Sequence, residues 1–314
     1  MIKLKNLVKD YGSLRAVDHI NFNINDEEIL GFLGPNGAGK TTTLQMITCF
    51  LEPTMGDIIV NNMNIKEDSK KVRKKIGYLP EDNPLYEDMT VFDYLKFVAD
   101  IRDIDENEFK SRLKEVIDKC GLEGVVSKPI HTLSKGYHQR VGLAQAIIHD
   151  PEILILDEPT TGLDPNQIVE IRALIKKLGK EKTLIMSTHI LQEVQAVCDR
   201  IVIINRGKIV ADGSKEELKA RFKNKTELVL ELIAEEKEIP EIQDKIDGIT
   251  ILSIDKKTDT FEVKIEFDSK ADKRVEIYNY IKKKDWTLLG MHREHISLED
   301  VFKNLTIENP GGQK

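Results

Sequence analysis

The chain has 314 residues, 40% of them hydrophobic and 32% charged, with a formal net charge of −7. That length accommodates two domains and a substantial core, and the acidic balance argues against a general nucleic-acid binder while leaving room for a local basic patch. The three cysteines, Cys49, Cys120 and Cys198, are odd in number and far apart, which gives neither a disulfide framework nor a metal cluster and suits a reducing compartment; no run approaches the roughly 18 apolar residues of a membrane helix, so work on a membrane requires a partner that spans it.

In chain order, MIKLKNLVKDYG alternates apolar and polar residues like a strand and shows no signal-peptide run. EEILGFLG, Glu27 to Gly34, reads as a short apolar strand ending in glycine. KTTTLQMITCFL places Leu44, Ile47 and Leu51 on one helical face, with Pro53 as the stop. The stretch from Met89 to about Ala146 is helix-rich. In it TVFDYLKFVADI has Thr90 as N-cap and Val91, Leu95 and Val98 on one face. PEILILDEP and TLIMSTH are apolar runs of strand length, and RIVIINRGKIVADG predicts a hairpin turning at Asn205 to Lys208. Unbroken apolar strands separated by helices imply a mostly parallel sheet covered on both faces.

Near Glu216 the character changes. KEELKARFKNK is a charged helix or linker, placed at 216–226. After it come a strand (ELVLELI), a helix (PEIQDKID), two strands (ITILSID and TFEVKIEF), a helix (ADKRVEIYNYIKKKD) and a strand (WTLLGMHRE). That βαββαβ order is the ferredoxin-like pattern. A last helix, SLEDVFKNL, and a tail, NPGGQK, expected to be mobile, close the chain. His292 and His295 make no metal site.

Gly34, Gly39, Lys40 and Thr41 match G-x-x-x-x-G-K-[ST] between a strand and a helix, the context that gives this motif its meaning. The glycines let backbone N–H groups curl around phosphate oxygens, and the helix that starts near Lys40 points its positive end at them. Lys40 is expected to reach the β- and γ-phosphates, and the Thr41 hydroxyl to ligate Mg²⁺. Asp157, at the carboxyl end of the LILDEP strand, can hold that Mg²⁺ through water. Glu158, expected to point elsewhere because neighbours on a strand alternate, is the candidate to orient or deprotonate an attacking water. His189, ending TLIMSTH on the same sheet edge, is the candidate γ-phosphate sensor. A second stretch, LSKGYHQR, also looks built for an anion: Ser134 offers a hydroxyl, Gly136 an unobstructed N–H, and the helix its positive end.

GPNGAGKT, LSKGYHQR, ILILDEPTTGLD and STH occur in the order, and at about the spacing, of ATP-binding cassette ATPases, which residues 1 to about 215 resemble. The resemblance implies an α/β fold: a P-loop nucleotide-binding domain, 1–215, with a RecA-like core and a helical subdomain at about 89–146. A small α+β accessory or dimerisation domain follows at 227–314. It further implies that the loop residues Gly34, Asn36, Gly37, Ala38, Gly39, Lys40, Thr41 and Thr42 bind ATP, and that Tyr11 stacks on adenine. Ser134 and Gly136 would contact the γ-phosphate held by a second nucleotide-binding subunit, a homodimer being expected, with Asp164 lining the seam. Glu81, in IGYLPED, stands where the family usually has Gln. It keeps an acceptor for the metal but adds charge and removes a donor. LSKGY in place of the commoner LSGGQ puts Lys135 at the seam.

Both departures, and IGYLPEDNPLYEDMTVFDYL, resemble the ABC-2 exporter branch, in particular the ATPases named for gliding motility. The implied function is an ATPase that energises integral-membrane permease subunits from the cytoplasmic face of the cell membrane, with Pro84, Leu85 and Tyr86 helping to form the groove that receives them. Rival readings are a soluble ATPase that remodels nucleic acid or a ribosome, an envelope mechano-ATPase without transport, and a module that senses ATP without turning it over. The single cassette and the lack of heptads weigh against the first and the presence of Glu158 and His189 against the last, the mechano-ATPase stays open, and no nucleic-acid partner is expected. The best basic cluster, Lys70 to Lys75, reads as a solvated helix end.

Overall fold

The computed structural model describes residues 1–222, 225–268, 271–294 and 298–306, and the chain divides into two compact units, one spanning Met1–Ser214 and the other beginning at Lys215. The NPGGQK tail and His295 lie outside the described residues.

The first unit opens with β1 (Ile2–Tyr11), β2 (Leu14–Ile24) and β3 (Ile29–Leu33), followed by helix α1 (Lys40–Ile47). Helix α1 is shorter than its apolar face predicts: Thr48 caps it, and Cys49 turns the chain away with φ of 58°. Next come β4 (Met55–Val60), β5 (Met63–Asn64), α2 (Ile65–Lys75) and β6 (Ile76–Leu79). The helix-rich region supplies α3 (Val91–Ile101), α4 (Glu106–Cys120) and α5 (Lys135–Ile147). Each starts on a side-chain cap: the Thr90 hydroxyl accepts from Asp93 N, Asp105 from Asn107 N, and Ser134 from Tyr137 N. The chain returns through β7 (Ile153–Asp157), α6 (Pro165–Leu178), β8 (Thr183–Thr188), α7 (Leu191–Val197), β9 (Arg200–Asn205) and β10 (Lys208–Ser214).

These strands form two sheets. One has the order β10-β9-β3-β8-β7-β6, parallel throughout except for the β9–β10 hairpin. Every residue of β3 and β7 is buried, and every residue of β8, as expected of strands covered on both faces. The hairpin turns through Arg206 and Gly207, both at positive φ, as a two-residue primed turn requires. The other sheet, β2-β1-β4-β5, is antiparallel and was not anticipated beyond β1. A continuous core joins the two through α1, with Leu44, Met46 and Ile47 packed among Ile2, Leu4, Phe22 and Phe32. Phe22 stacks on Phe32 at 5.6 Å between ring centroids.

Helix α5 is fastened to the edge strand β6. Gln145 Nε2 donates to Tyr78 O at 2.9 Å, and His149 Nε2 stands 3.1 Å from Ile76 O. The approach is close because Gly77 has no side chain: a Cβ there would stand 2.0 Å from Ala146 O.

In the second unit, α8 (Lys215–Phe222) precedes β11 (Lys225–Ile233), so the helical reading of the charged stretch holds over Lys215–Phe222. Then follow α9 (Glu241–Lys245), β12 (Ile249–Lys256), β13 (Phe261–Asp268), α10 (Arg274–Lys283), β14 (Thr287–Glu294) and α11 (Leu298–Thr306). The sheet order is β12-β13-β11-β14, with every neighbour antiparallel, an arrangement of the split βαβ type. Strict alternation in β13 buries Phe261, Val263, Ile265 and Phe267 against Leu228, Leu230, Ile277 and Ile281.

Because the obstructing atom is a backbone carbonyl in the last turn of a packed helix and not the tip of a flexible side chain, Gly77→Ala should destabilise the protein by about 1–3 kcal/mol. A lower urea midpoint for that variant, with an unchanged denaturant slope, is the expected measurement.

Candidate functional site

The sheet order decides which loops meet. Strands β3, β8 and β7 are consecutive neighbours and parallel, with Leu33 opposite Thr188 and Asp157 opposite Ser187. Their carboxyl ends therefore bring the glycine-rich loop, His189 and the Asp157–Glu158 pair to one edge, where open α/β sheets bind ligands.

The glycine-rich loop leaves β3 through Gly34, whose N–H donates to Thr188 O at 3.3 Å. A Cβ on Gly34 would stand 2.3 Å from Ile204 O, and Gly39 reaches φ of 105° with Ala16 O 2.5 Å from where its Cβ would be. Only glycine fits this path. Helix α1 starts at Gly39 with no side-chain cap, leaving its first-turn N–H groups for an anion. Lys40 is buried, and its ammonium donates to Gly34 O at 2.9 Å and Pro35 O at 3.2 Å. A cleft of about 350 Å³ is lined by Tyr11, Leu14, Asn36, Gly37, Lys40, Thr41, Thr42, Glu81 and Glu158, among others. Tyr11 is 46% exposed, with Lys9 Nζ over its ring at 5.4 Å from the centroid.

The acidic side is tightly organised. Asp157 is fully buried and accepts a hydrogen bond from Ser187 Oγ, while its Oδ2 has no protein partner. Burial pushes its carboxyl pKa up; the Ser187 and Thr41 hydroxyls oppose that rise and the Glu158 charge adds to it. Burial likewise raises the Glu81 carboxyl, helped by the charges of Asp157 and Glu158. Glu158 does not continue the strand: it turns into the left-handed region with φ of 47°. Its direction is therefore set by that turn, and strand alternation, the expected cause, does not apply. Glu158 N donates to Ser187 O at 3.2 Å and Ser187 Oγ at 3.1 Å. Its carboxylate spans the cleft, with Oε1 3.3 Å from Lys40 Nζ and Oε2 3.0 Å from His189 Nδ1. Since a carboxylate only accepts, this contact places a proton on Nδ1.

Among the described residues no three His, Cys, Asp or Glu side chains cluster closely enough to cage a metal. The unpartnered Asp157 oxygen and the nearby Thr41 hydroxyl nevertheless fit Mg²⁺, which takes few protein ligands and completes its shell with phosphate and water.

The second loop stands elsewhere. Ser134, Gly136 and Asp164 do not line the cleft that holds Lys40. They adjoin one another: Asp164 caps α6 in a reciprocal box with Gln167, and a Cβ on Gly136 would stand 2.7 Å from Gln167 Cδ. Sequence reasoning missed Ser187, Thr160 and Glu193, which tie the strand ends together. Of the residues expected in a docking groove, Leu85 is buried, whereas Tyr86 remains 53% exposed while packing on Tyr94 and Phe97 at 5.9 and 5.3 Å between centroids. A separate groove of about 470 Å³ is lined by Phe50, Ile101, Lys70, Arg73, Lys74 and Arg102, together with Tyr78 and Asp103 among others.

Comparison with known proteins points one way. The family described as "ABC transporter" matches residues 17–161. The bacitracin transport ATP-binding protein BcrA of Bacillus licheniformis is 40% identical over 232 residues, covering 73% of this chain and 75% of that protein. The solved ATP-binding subunit of an ABC transporter superposes with a TM-score of 0.65 at 30% identity, covering 71% of this chain and 93% of that one. The dimeric ATP-binding cassette MJ0796, in a post-hydrolysis state bound to ADP and Pi, superposes with a TM-score of 0.63 at 28% identity, over 68% of this chain and 98% of that one.

The raised Asp157 pKa has a consequence for stability. A carboxyl that holds its proton more tightly when folded costs stability as pH rises from the unfolded carboxyl range through its folded value. Asp157→Asn is therefore expected to raise the thermal midpoint at pH 7 without nucleotide, an advantage that shrinks as the pH falls through the carboxylate range. Calorimetry across that range measures it.

Proposed function

The chain belongs to the family of ABC transporter ATP-binding proteins and is an ATPase of that family, and from this premise we propose that two copies close head to tail around ATP and so drive the permease subunits of an exporter. The observation that carries the proposal is the separation of the site into two incomplete halves. Lys40, Glu81, Glu158 and Tyr11 line one cleft; Ser134, Gly136 and Asp164 gather at a different place with no phosphate loop of their own. A neighbour's Ser134 hydroxyl, Gly136 N–H and α5 N-terminus would supply the missing wall.

Within one half, the loop N–H groups and Lys40 bind the β- and γ-phosphates, and Tyr11 stacks on the base. Thr41, Asp157 and Glu81 are the residues that would hold Mg²⁺, which when bound neutralises charge developing on the phosphates. Glu158 orients the attacking water and accepts its proton; His189, hydrogen-bonded to Glu158, senses the γ-phosphate and keeps that carboxylate aimed. The second unit we assign to pairing of the copies.

Among the described residues no helix is long and apolar enough to cross a membrane; the site of action we propose, from the exporter reading, is the cytoplasmic face, reached through the permease. The groove lined by Phe50, Ile101 and four cationic side chains suits an amphipathic cytoplasmic helix of that partner. Phe50 and Ile101 are 77% and 64% exposed. Nucleic acid is a poor match for the Lys70 to Lys75 cluster, since Lys71, Lys74 and Lys75 are paired with Asp68, Asp103 and Glu152.

Glu158→Gln should lower ATP turnover at least ~100-fold while nucleotide binding persists, and the ATP-bound dimer should accumulate in sedimentation velocity runs. Turnover near the wild-type rate removes Glu158 from its role. Phe50→Asp should abolish co-purification with a multi-spanning partner while ATP binding by the isolated chain is retained; unimpaired assembly moves the docking site elsewhere.

A further inference from the structure

We propose that Glu193 is a positioning residue for the hydrolytic pair, fixing Glu158 and His189 through Thr160 and Thr188. The inference rests on the roles assigned above to Glu158 and His189. Glu193 lies in α7 and is fully buried. Its Oε1 accepts from Thr160 Oγ1, and its Oε2 accepts from Thr188 Oγ1 at 2.6 Å. The nearest cationic group is Arg172, with Nη2 3.7 Å from Oε1.

The two threonines occupy telling places. Thr160 follows Glu158 by two residues, and Thr188 immediately precedes His189. Thr188 Oγ1 also accepts from Ile190 N at 3.0 Å, so the chain is tied on both sides of His189. Thr188 O receives the Gly34 N–H, which brings the phosphate loop into the same arrangement. One carboxylate thus joins the ends of β7 and β8 and the start of α7.

A buried carboxylate is a poor means of stabilising a core. Its desolvation is costly, and well-packed apolar replacements of buried ionic groups are often neutral or stabilising. What two charge-assisted hydrogen bonds from opposite sides supply is a fixed separation between two loops. The pair needs one. Glu158 sits at positive φ, a conformation that persists only when its surroundings over-determine it. The 3.0 Å contact between Glu158 and His189 depends on two loops that share no strand.

The test uses the full chain and compares Glu193→Gln, Thr188→Val, Thr188→Ser and the reference variant Glu158→Gln. Steady-state ATP hydrolysis, equilibrium binding of a non-hydrolysable ATP analogue and thermal midpoint are measured for each. The expected result is a ~10–100-fold fall in kcat for Thr188→Val and Glu193→Gln, with analogue affinity within ~3-fold of wild type. Thr188→Ser, which keeps the hydroxyl, should restore kcat. Two results overturn the proposal: wild-type kcat in both variants while Glu158→Gln is dead, or a kcat that tracks the thermal midpoint across the series, Thr188→Ser included. If Glu193→Gln does not fold, the Thr188 pair decides alone. If Glu158→Gln itself turns over normally, the assignment of the hydrolytic pair fails, and this proposal fails with it.

Discussion

Asp157 and Glu158 place two adjacent carboxylates at the end of a strand that has no exposed residue, and the surrounding structure answers to that charge. In so buried a place a carboxylate needs partners or it takes a proton. The sheet provides them from three directions: Ser187 from β8, Lys40 from the start of α1, and His189 from beyond β8. None is close to either carboxylate in sequence. They are close in space because the strand order makes β3, β8 and β7 parallel neighbours in fixed register. The compensation is incomplete, since Asp157 keeps an oxygen without a partner and burial still raises its pKa. Stability is sacrificed there for a place where a cation can be held, as functional sites commonly require.

The same scaffold carries the other half of the proposed site on α5. That helix is capped by Ser134 and is pinned both to β6 and to the segment after it, which carries Glu81. Gln145 reaches Tyr78 O, and Asn83 Nδ2 donates to His138 O at 2.8 Å. Asn83 can lie this close because Gly142 has no Cβ; one would stand 2.3 Å from its Oδ1. A shift of the Glu81 segment in response to nucleotide therefore has a direct mechanical route to the helix whose N-terminus faces the neighbouring copy in the proposed pairing. No long-range pathway is needed, only two backbone carbonyls and the side chains that hold them.

How much of this was legible in the sequence depended on the range of the signal. The buried strands β3, β7 and β8 and the phosphate loop announced themselves, because an unbroken apolar run and a glycine motif are local. The N-cap Thr90 was readable for the same reason. The antiparallel sheet was not. Its β4 shows only a ragged alternation, and β5 has two residues, below any periodicity. Glu158 was found for its chemistry but its orientation was attributed to the wrong cause, since a non-glycine residue at positive φ leaves no mark in composition. Leu85 looked like a surface apolar residue because nothing local distinguishes it from the exposed Phe50; packing against distant elements decides which is which. Glu193 reads as one more glutamate on an amphipathic helix, and its Thr160 partner is 33 residues away.

The two departures from the family's usual residues gain a common sense from the geometry. Glu81 adds a negative charge to a cluster already containing Asp157 and Glu158, and its own raised pKa records the cost. Lys135 adds a positive charge to the other loop, where it leans over Gly162, so closely that a Cβ there would stand 1.9 Å from its ammonium. Within a single chain these charges serve separate halves of the site. In the proposed head-to-tail pairing, the half that gains the Glu81 charge would face the half that gains Lys135. Such complementarity favours the correct orientation and raises the rate of encounter more than it deepens the final affinity. An ATPase that must open after every turnover is better served by fast, well-oriented closure than by a permanently tight seam, and one charge added to each half is a small change that acts in that direction.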